Sequence, residues 1–277
     1  MKGISRATYN RITSRTLYYF LVAVKAFKAQ TIYRSQVISK ILYSILLYLI
    51  QMYIWKSVNM SSAAEYVNIE YMSGYILLSS LISVFIAFDM NYIPIIELKV
   101  KNGTISEDLT KPNGFLLFHF FEYFGRCAFK LCFNVVPIVL FFVVTRQSAM
   151  IDLAFLAYYV PAVVGAMLIF FLINAICGML SFWFVSVGNL HIIIDSSITL
   201  FSGSIIPLWL IPDKFKFVYE ILPFKYLFYY PISILLGRLY KTQIYSVYAY
   251  QIVWCLVLAI ISAIVYKNGI KKLQILG

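Results

Sequence analysis

The sequence predicts an all-α integral membrane protein with six transmembrane helices and both ends in the cytoplasm (N-in/C-in). Three observations predict it. Of the 277 residues, 62% are hydrophobic and only 12% charged, with a mean hydropathy of +0.85. A soluble domain is about half apolar and about a quarter charged. The apolar runs are long and unbroken, as in Leu153 to Phe184, whereas a membrane barrel alternates apolar and polar residues over segments of about ten. Backbone groups in lipid must be satisfied within the segment, so these runs are helices. The third observation is a lopsided distribution of basic residues, which sets the orientation.

The elements follow in order. Leu17 to Gln36 mixes aromatics with Lys25, Lys28 and Arg34. This suits a helix lying in the cytoplasmic interface, with a cytosolic extension of the first span as the alternative. Spans of about twenty residues fall at roughly 38–56, 73–90, 128–145, 154–184, 190–211 and 248–266. Residues 1–37 are therefore a basic N-terminus with its interfacial helix, and 38–277 a six-helix membrane domain. The first sixteen residues carry Lys2, Arg6, Arg11 and Arg15 without an apolar core, so no cleavable signal peptide is expected. Cys127, Cys132, Cys177 and Cys255 lie in or beside apolar runs and read as buried thiols rather than a disulfide framework.

With the N-terminus inside, 16 of the 23 Lys and Arg fall in the cytoplasmic segments 1–40, 89–130, 185–190 and 267–277. This is the positive-inside bias. The formal charge of +12 thus serves topology and anionic lipid head groups, and calls for no nucleic-acid partner. Two connections are unusual. Residues 91–112 form a charged cytosolic segment. Residues 205–247 form an external one, too apolar for a solvated loop and too broken by Pro207, Pro212, Pro223 and Pro231 for one helix. Short re-entrant helical pieces between spans five and six fit it, provided protein covers their backbone.

No phosphate-binding G-x-x-x-x-G-K-[ST] loop occurs, so the chain cannot hold ATP in that manner. His119 and His191 are far apart and no H-E-x-x-H is present, leaving no catalytic residues and no metal ligands to name. Asp195 is the clear ionisable residue at membrane depth. His191, Asp195, Thr199 and Ser202 follow at helical spacing on one face of span five. Either the stripe lines a substrate path or a subunit seam, or Asp195 pairs with His191 or caps backbone near the helix start. Ile93 to Gly103 reads as a short cytosolic helix, with Pro94 in its first turn and Gly103 at its C′ position. Glu122, Arg126 and Lys130 follow at i, i+4 and i+8, and read as a solvated, ion-paired face starting the third helix.

These pieces resemble the ABC-2 type transporter permeases, compact half-permeases that work with a separate ATPase. The likeness rests on the basic interfacial helix before six spans and on Gly103-Thr104-Ile105-Ser106-Glu107-Asp108-Leu109-Thr110-Lys111-Pro112 after span two. It rests further on Ser202-Gly203-Ser204-Ile205-Ile206-Pro207, followed by Leu222-Pro223-Phe224. Lys111-Pro112 stands where relatives more often have Arg-Pro, keeping the charge without the planar fork.

The resemblance implies a permease subunit of an ATP-driven exporter that moves an amphipathic or lipophilic cargo (a drug, antibiotic peptide or lipid) out by alternating access. Two copies of a cytosolic ATPase, which hold the Mg-ATP, would dock on the N-terminal helix and on the segment around Ile93 to Pro112, near Glu97, Lys99, Lys101, Gly103, Glu107, Asp108 and Lys111. A second permease, identical or paralogous, would meet this one across spans two and five. Pro207, Trp209, Pro212, Pro223 and Phe224 would form an external gate. The implied location is a bacterial cell membrane, with lipids as partners and no cofactor in this chain. The competing classes are an ion-gradient-driven secondary transporter, for which Asp195 is the support, and a polytopic lipid-modifying enzyme.

Overall fold

The computed structural model describes residues 6–32, 34–60, 69–86, 92–111, 114–136, 139, 153–184 and 186–276, and every regular element among them is helical. The first six helices are α1 (Arg6–Gln30), α2 (Arg34–Met60), α3 (Ile69–Ile86), α4 (Tyr92–Lys101), α5 (Ile105–Leu109) and α6 (Phe115–Lys130). Then come α7 (Leu156–Met179), α8 (Leu190–Phe201), α9 (Lys216–Ile221), α10 (Tyr229–Leu235) and α11 (Lys241–Leu276). Among the described residues, three stretches are long and apolar enough to cross a bilayer: Ile41–Val58, Leu156–Phe182 and Lys241–Leu273. The expected third span, 128–145, continues α6 through a π-helical turn at Leu131–Val135. Beyond it, residues 137, 138 and 140–152 lie outside the described residues.

The N-terminal helix is a separate element rather than an extension of the first span. The chain turns at Thr31, whose hydroxyl donates to the Lys28 carbonyl (2.7 Å), and the helix restarts at Arg34. α1 lies along α6. Tyr19 stacks on Phe121 with centroids 4.8 Å apart, and Phe27 meets Phe129 edge-on at 5.4 Å. Between these rings the backbones touch, since a Cβ on Gly125 would sit 2.1 Å from the Ala23 carbonyl oxygen. Only glycine permits that approach.

α3 is the buried centre. Tyr75, Ile76, Leu77, Leu78 and Ile82 are each at most 2% exposed. Its described surface is therefore covered by this chain's own helices, and the expected seam on span two finds no open face over residues 74–82. α8 does present an open apolar side through Ile192, Ile193 and Leu200.

α8 departs most from expectation. It was expected to span 190–211, but the helix stops at Phe201 after 12 residues. At 1.5 Å per residue it is about 18 Å long, against a hydrocarbon core of about 30 Å. The stop is local chemistry: Gly203 takes a left-handed φ of +83°, and Pro207 follows. As expected, the chain from 202 to 235 is a string of short helical pieces, including 3₁₀ turns at Leu208–Leu210, Asp213–Phe215 and Pro223–Tyr226. Much of it is interior: Leu227, Phe228, Ile232 and Ile234 are at most 2% exposed.

α7 and α11 pack through polar contacts between apolar faces. Gln251 lies over Gly165 and donates to the carbonyls of Ala162 (2.9 Å) and Tyr226 (3.2 Å), tying both helices to the broken segment. Such bonds matter because lipid supplies no hydrophobic force between helices. The outward sides of α2 (Leu42, Leu46, Leu49, Ile54) and α11 (Ile252, Leu256, Ile260, Ile264) are exposed and apolar, as a hydrocarbon solvent requires.

Candidate functional site

Two groups of residues stand at opposite ends of α3, and a cavity lies beside it. The first group is an elbow made of α4, α5 and the start of α6. Pro94 sits in the first turn of α4, and Gly103 ends it with a φ of +73°, both as the sequence predicts. The reversed chain brings Asp108 back under α4, where it is 3% exposed. Lys99 and Lys111 each donate to its carboxylate at 2.5 Å, and His119 Nε2 lies 3.3 Å away. The other His119 nitrogen is 3.1 Å from Glu122, which pairs in turn with Arg126 at 3.0 Å. Burial alone would raise the Asp108 carboxyl, but the contacts with His119, Lys111 and Lys99 outweigh it and hold it well below the usual carboxylate range.

Aromatic rings seat this elbow on the long helices. Tyr92 packs on His119 (5.4 Å) and on Phe171 of α7 (5.9 Å). Phe115 packs on His119 (4.5 Å), on Phe182 (6.0 Å) and on Tyr266 of α11 (5.3 Å). Glu97 is clamped from both sides, accepting from Lys101 (2.5 Å) and from Ser186 beyond α7 (2.6 Å). The Lys101 and Ser186 hydrogen bonds lower its carboxyl.

The expected docking residues therefore divide. Glu97 and Asp108 face inward and hold the elbow, Glu97 paired with Lys101 and Asp108 with Lys99 and Lys111; Lys111 also lies 3.3 Å over the Phe118 ring. The exposed residues are at the tip: Lys101, Asn102, Gly103, Thr104, Ser106 and Glu107. The face of Glu122, Arg126 and Lys130 is likewise less open than its spacing suggested. The Glu122–Arg126 pair forms, but Lys130 is 2% exposed. His119 is the residue that sequence reasoning missed. Its signal was available in its position three residues before Glu122, on the helix face that carries Arg126.

At the other end of α3, the broken segment is held by aromatics and backbone hydrogen bonds. Tyr75 donates to the Gly203 carbonyl (2.6 Å), Ser79 to the Ser204 carbonyl, and the Tyr229 amide to the Ser202 carbonyl (3.1 Å). A Cβ on Gly203 would meet the Tyr75 hydroxyl at 2.9 Å. Trp209 stands edge-on to Tyr71 (5.3 Å) and Tyr75 (5.0 Å). The Arg238 guanidinium lies over Tyr71 (3.9 Å) and Trp209 (4.4 Å), a cation–π clamp closing the segment on α3. Of the expected gate residues, Pro207, Pro223 and Phe224 are buried, Trp209 is at the clamp, and Pro212 is exposed.

Between these ends, α2, α3 and α8 line a half-open cavity of about 370 Å³, bounded among others by Gln51, Ser79, Ser80, Asp195, Thr199 and Ser204. From the predicted stripe it takes Asp195 and Thr199, while His191 and Ser202 are outside its lining. Ser202 instead belongs to the turn, its hydroxyl accepting from the Ser204 amide (3.2 Å). Asp195 Oδ1 and His191 Nδ1 both lack a hydrogen-bond partner among the described residues, so these atoms do not satisfy one another. The serines of α3 were legible as hydroxyls inside an apolar span.

A family profile described as "ABC-2 family transporter protein" matches residues 38–277. No curated protein and no solved structure gives a significant match.

Proposed function

The chain belongs to the ABC-2 transporter family, a family of multi-pass membrane permeases, and from that premise we propose that it is the membrane half of an ATP-driven exporter. A separate ATP-binding subunit, in two copies, supplies Mg-ATP hydrolysis. A second permease, identical or paralogous, completes the pathway, and the cargo is amphipathic or lipophilic. Both chain ends face the cytoplasm of a bacterial cell.

The observation that carries this reading is the construction of the elbow. Its tip is exposed and polar, while its base is a buried ion cluster seated by Tyr92 and Phe115 on α7 and α11. A push on the tip is transmitted as a rigid-body displacement, because a packed base does not deform continuously. Closure of two ATPase subunits would rock the long helices in this way. The Arg238 clamp and the broken segment would then yield at the opposite end, as the external gate.

The test is a cross-link from the tip. Thr104→Cys in an otherwise functional chain should cross-link to the ATPase that copurifies with it, and the yield should change with ATP. A tip that never cross-links, beside efficient cross-linking at another cytoplasmic loop, overturns the docking assignment. An ion-gradient-driven transporter is the second reading, favoured by a carboxylate in the central cavity. It requires uptake by vesicles that contain this chain alone, without ATP.

A further inference from the structure

Four serine hydroxyls of the cavity already donate within the protein. Ser80 and Ser83 donate to the carbonyls of Ile76 and Ser79 (2.9 Å each), and Ser79 donates to the Ser204 carbonyl. Ser204 donates to the Thr199 carbonyl at 3.2 Å. These hydroxyl protons are spent inside the protein, and what the oxygens offer a ligand is lone pairs. Two further acceptors, Gln51 Oε1 on α2 and Asp195 Oδ1 on α8, are buried without a hydrogen-bond partner among the described residues. No Lys, Arg or His is among the described residues that line the space. His191, four residues before Asp195 on α8, is also outside the lining.

Asp195 is half-buried with the His191 imidazole near it on α8, but its Oδ1 is buried without a hydrogen bond, and an unmade hydrogen bond on a carboxylate is costly. An ammonium group answers that need, with one positive charge and several donors forming charge-assisted bonds. The remaining walls suit an apolar body: Leu47, Ile198, Ile205 and Phe228, with Tyr43 at one side. The volume is far larger than one inorganic ion needs and falls within the range of organic ligand pockets, about 300–1,000 Å³. A phosphate or carboxylate head would meet the Asp195 carboxylate with no Lys or Arg in the lining to offset it.

We propose that this cavity binds a protonated organic amine, so that the exported cargo is a cationic amphiphile whose ammonium lies between Asp195 and Gln51. The inference rests on the export reading and deepens it. The test uses the full chain in lipid nanodiscs, with tryptamine as the probe and N-acetyltryptamine and indole-3-acetate as neutral and anionic analogues. Calorimetry should give saturable binding of tryptamine at least tenfold tighter than of either analogue. Asp195→Asn, which keeps the side-chain shape, should weaken tryptamine at least tenfold and leave the neutral analogue unchanged. Gln51→Leu, on a different helix, should weaken it several-fold, so that a local defect in α8 does not decide the result.

Equal binding of the three probes, an unchanged Asp195→Asn variant, or displacement of tryptamine by millimolar sodium would each overturn the amine assignment. The two readings fail separately. A chain that cross-links to an ATPase yet ignores amines keeps the export reading and loses this one. A chain that binds amines without any ATPase contact keeps the amine site and loses the export reading, and with it the assignment of the amine as exported cargo.

Discussion

The two ends of α3 solve the same problem with different chemistry. At one end the chain reverses through α4 and α5, and the reversal is held by charge: a buried Asp108 gathers Lys99, Lys111 and His119. At the other end the chain breaks after α8, and the break is held by neutral donors from α3 and by rings around Arg238. The difference follows from solvent. An ion cluster with half-open lysines tolerates water beside it, whereas bare carbonyls in an apolar setting need donors fixed in place.

Substitutions at the two ends should differ widely in their cost. Gly203→Val should be the most damaging change, combining a left-handed backbone with a collision at the Tyr75 hydroxyl. It should cost about 4 kcal/mol and abolish the monodisperse peak in size-exclusion chromatography. A well-folded variant would show that the break does not depend on this turn. Asp108→Ala should follow at about 2–3 kcal/mol, below the range for a fully buried pair because Lys99 and Lys111 are partly solvated. A thermal melt in detergent reads it.

Acidification tests the same end. The folded Asp108 carboxyl is depressed, so its contribution is full above its unfolded pKa of about 3.9 and is lost as pH falls through the lower folded value. The melting temperature should therefore hold on this account from pH 8 to about 5 and decline below about 4. Asp108→Asn should shallow that decline, and an unaltered acid limb would count against a charge-held elbow. Arg238→Ala should cost about 1 kcal/mol and change Trp209 emission, sharpening the claim that its end is held by rings. Smallest of all, Glu107→Gln should leave the melt within about 0.5 kcal/mol while reducing transport-coupled ATP hydrolysis. A large loss of stability would mean the tip belongs to the base.

How much was legible differs between the ends as well. The elbow's helix limits could be read from Pro94 and Gly103, because proline and glycine act locally. The inward turn of Asp108 could not, since it depends on His119 arriving from another helix. In the broken segment, the prolines announced short pieces. The end of α8 at Phe201 was missed because the apolar run continues to Ile211, and hydropathy does not register a single left-handed glycine. The cavity shares this limit. Asp195 was visible as an expensive residue, but Gln51 and the α3 serines become its neighbours only through packing.

The shortness of α8 has a consequence for how the protein is made. A segment of 12 residues emerging from the ribosome is too short to partition into the bilayer by its own hydrophobicity. The carbonyls of Gly203 and Ser204, in the turn that follows it, would meet lipid bare until the Tyr75 and Ser79 hydroxyls cover them. Membrane integration of this region must therefore wait for α3, which is synthesised more than a hundred residues earlier. The order of synthesis makes the acceptor's cover available before the acceptor itself.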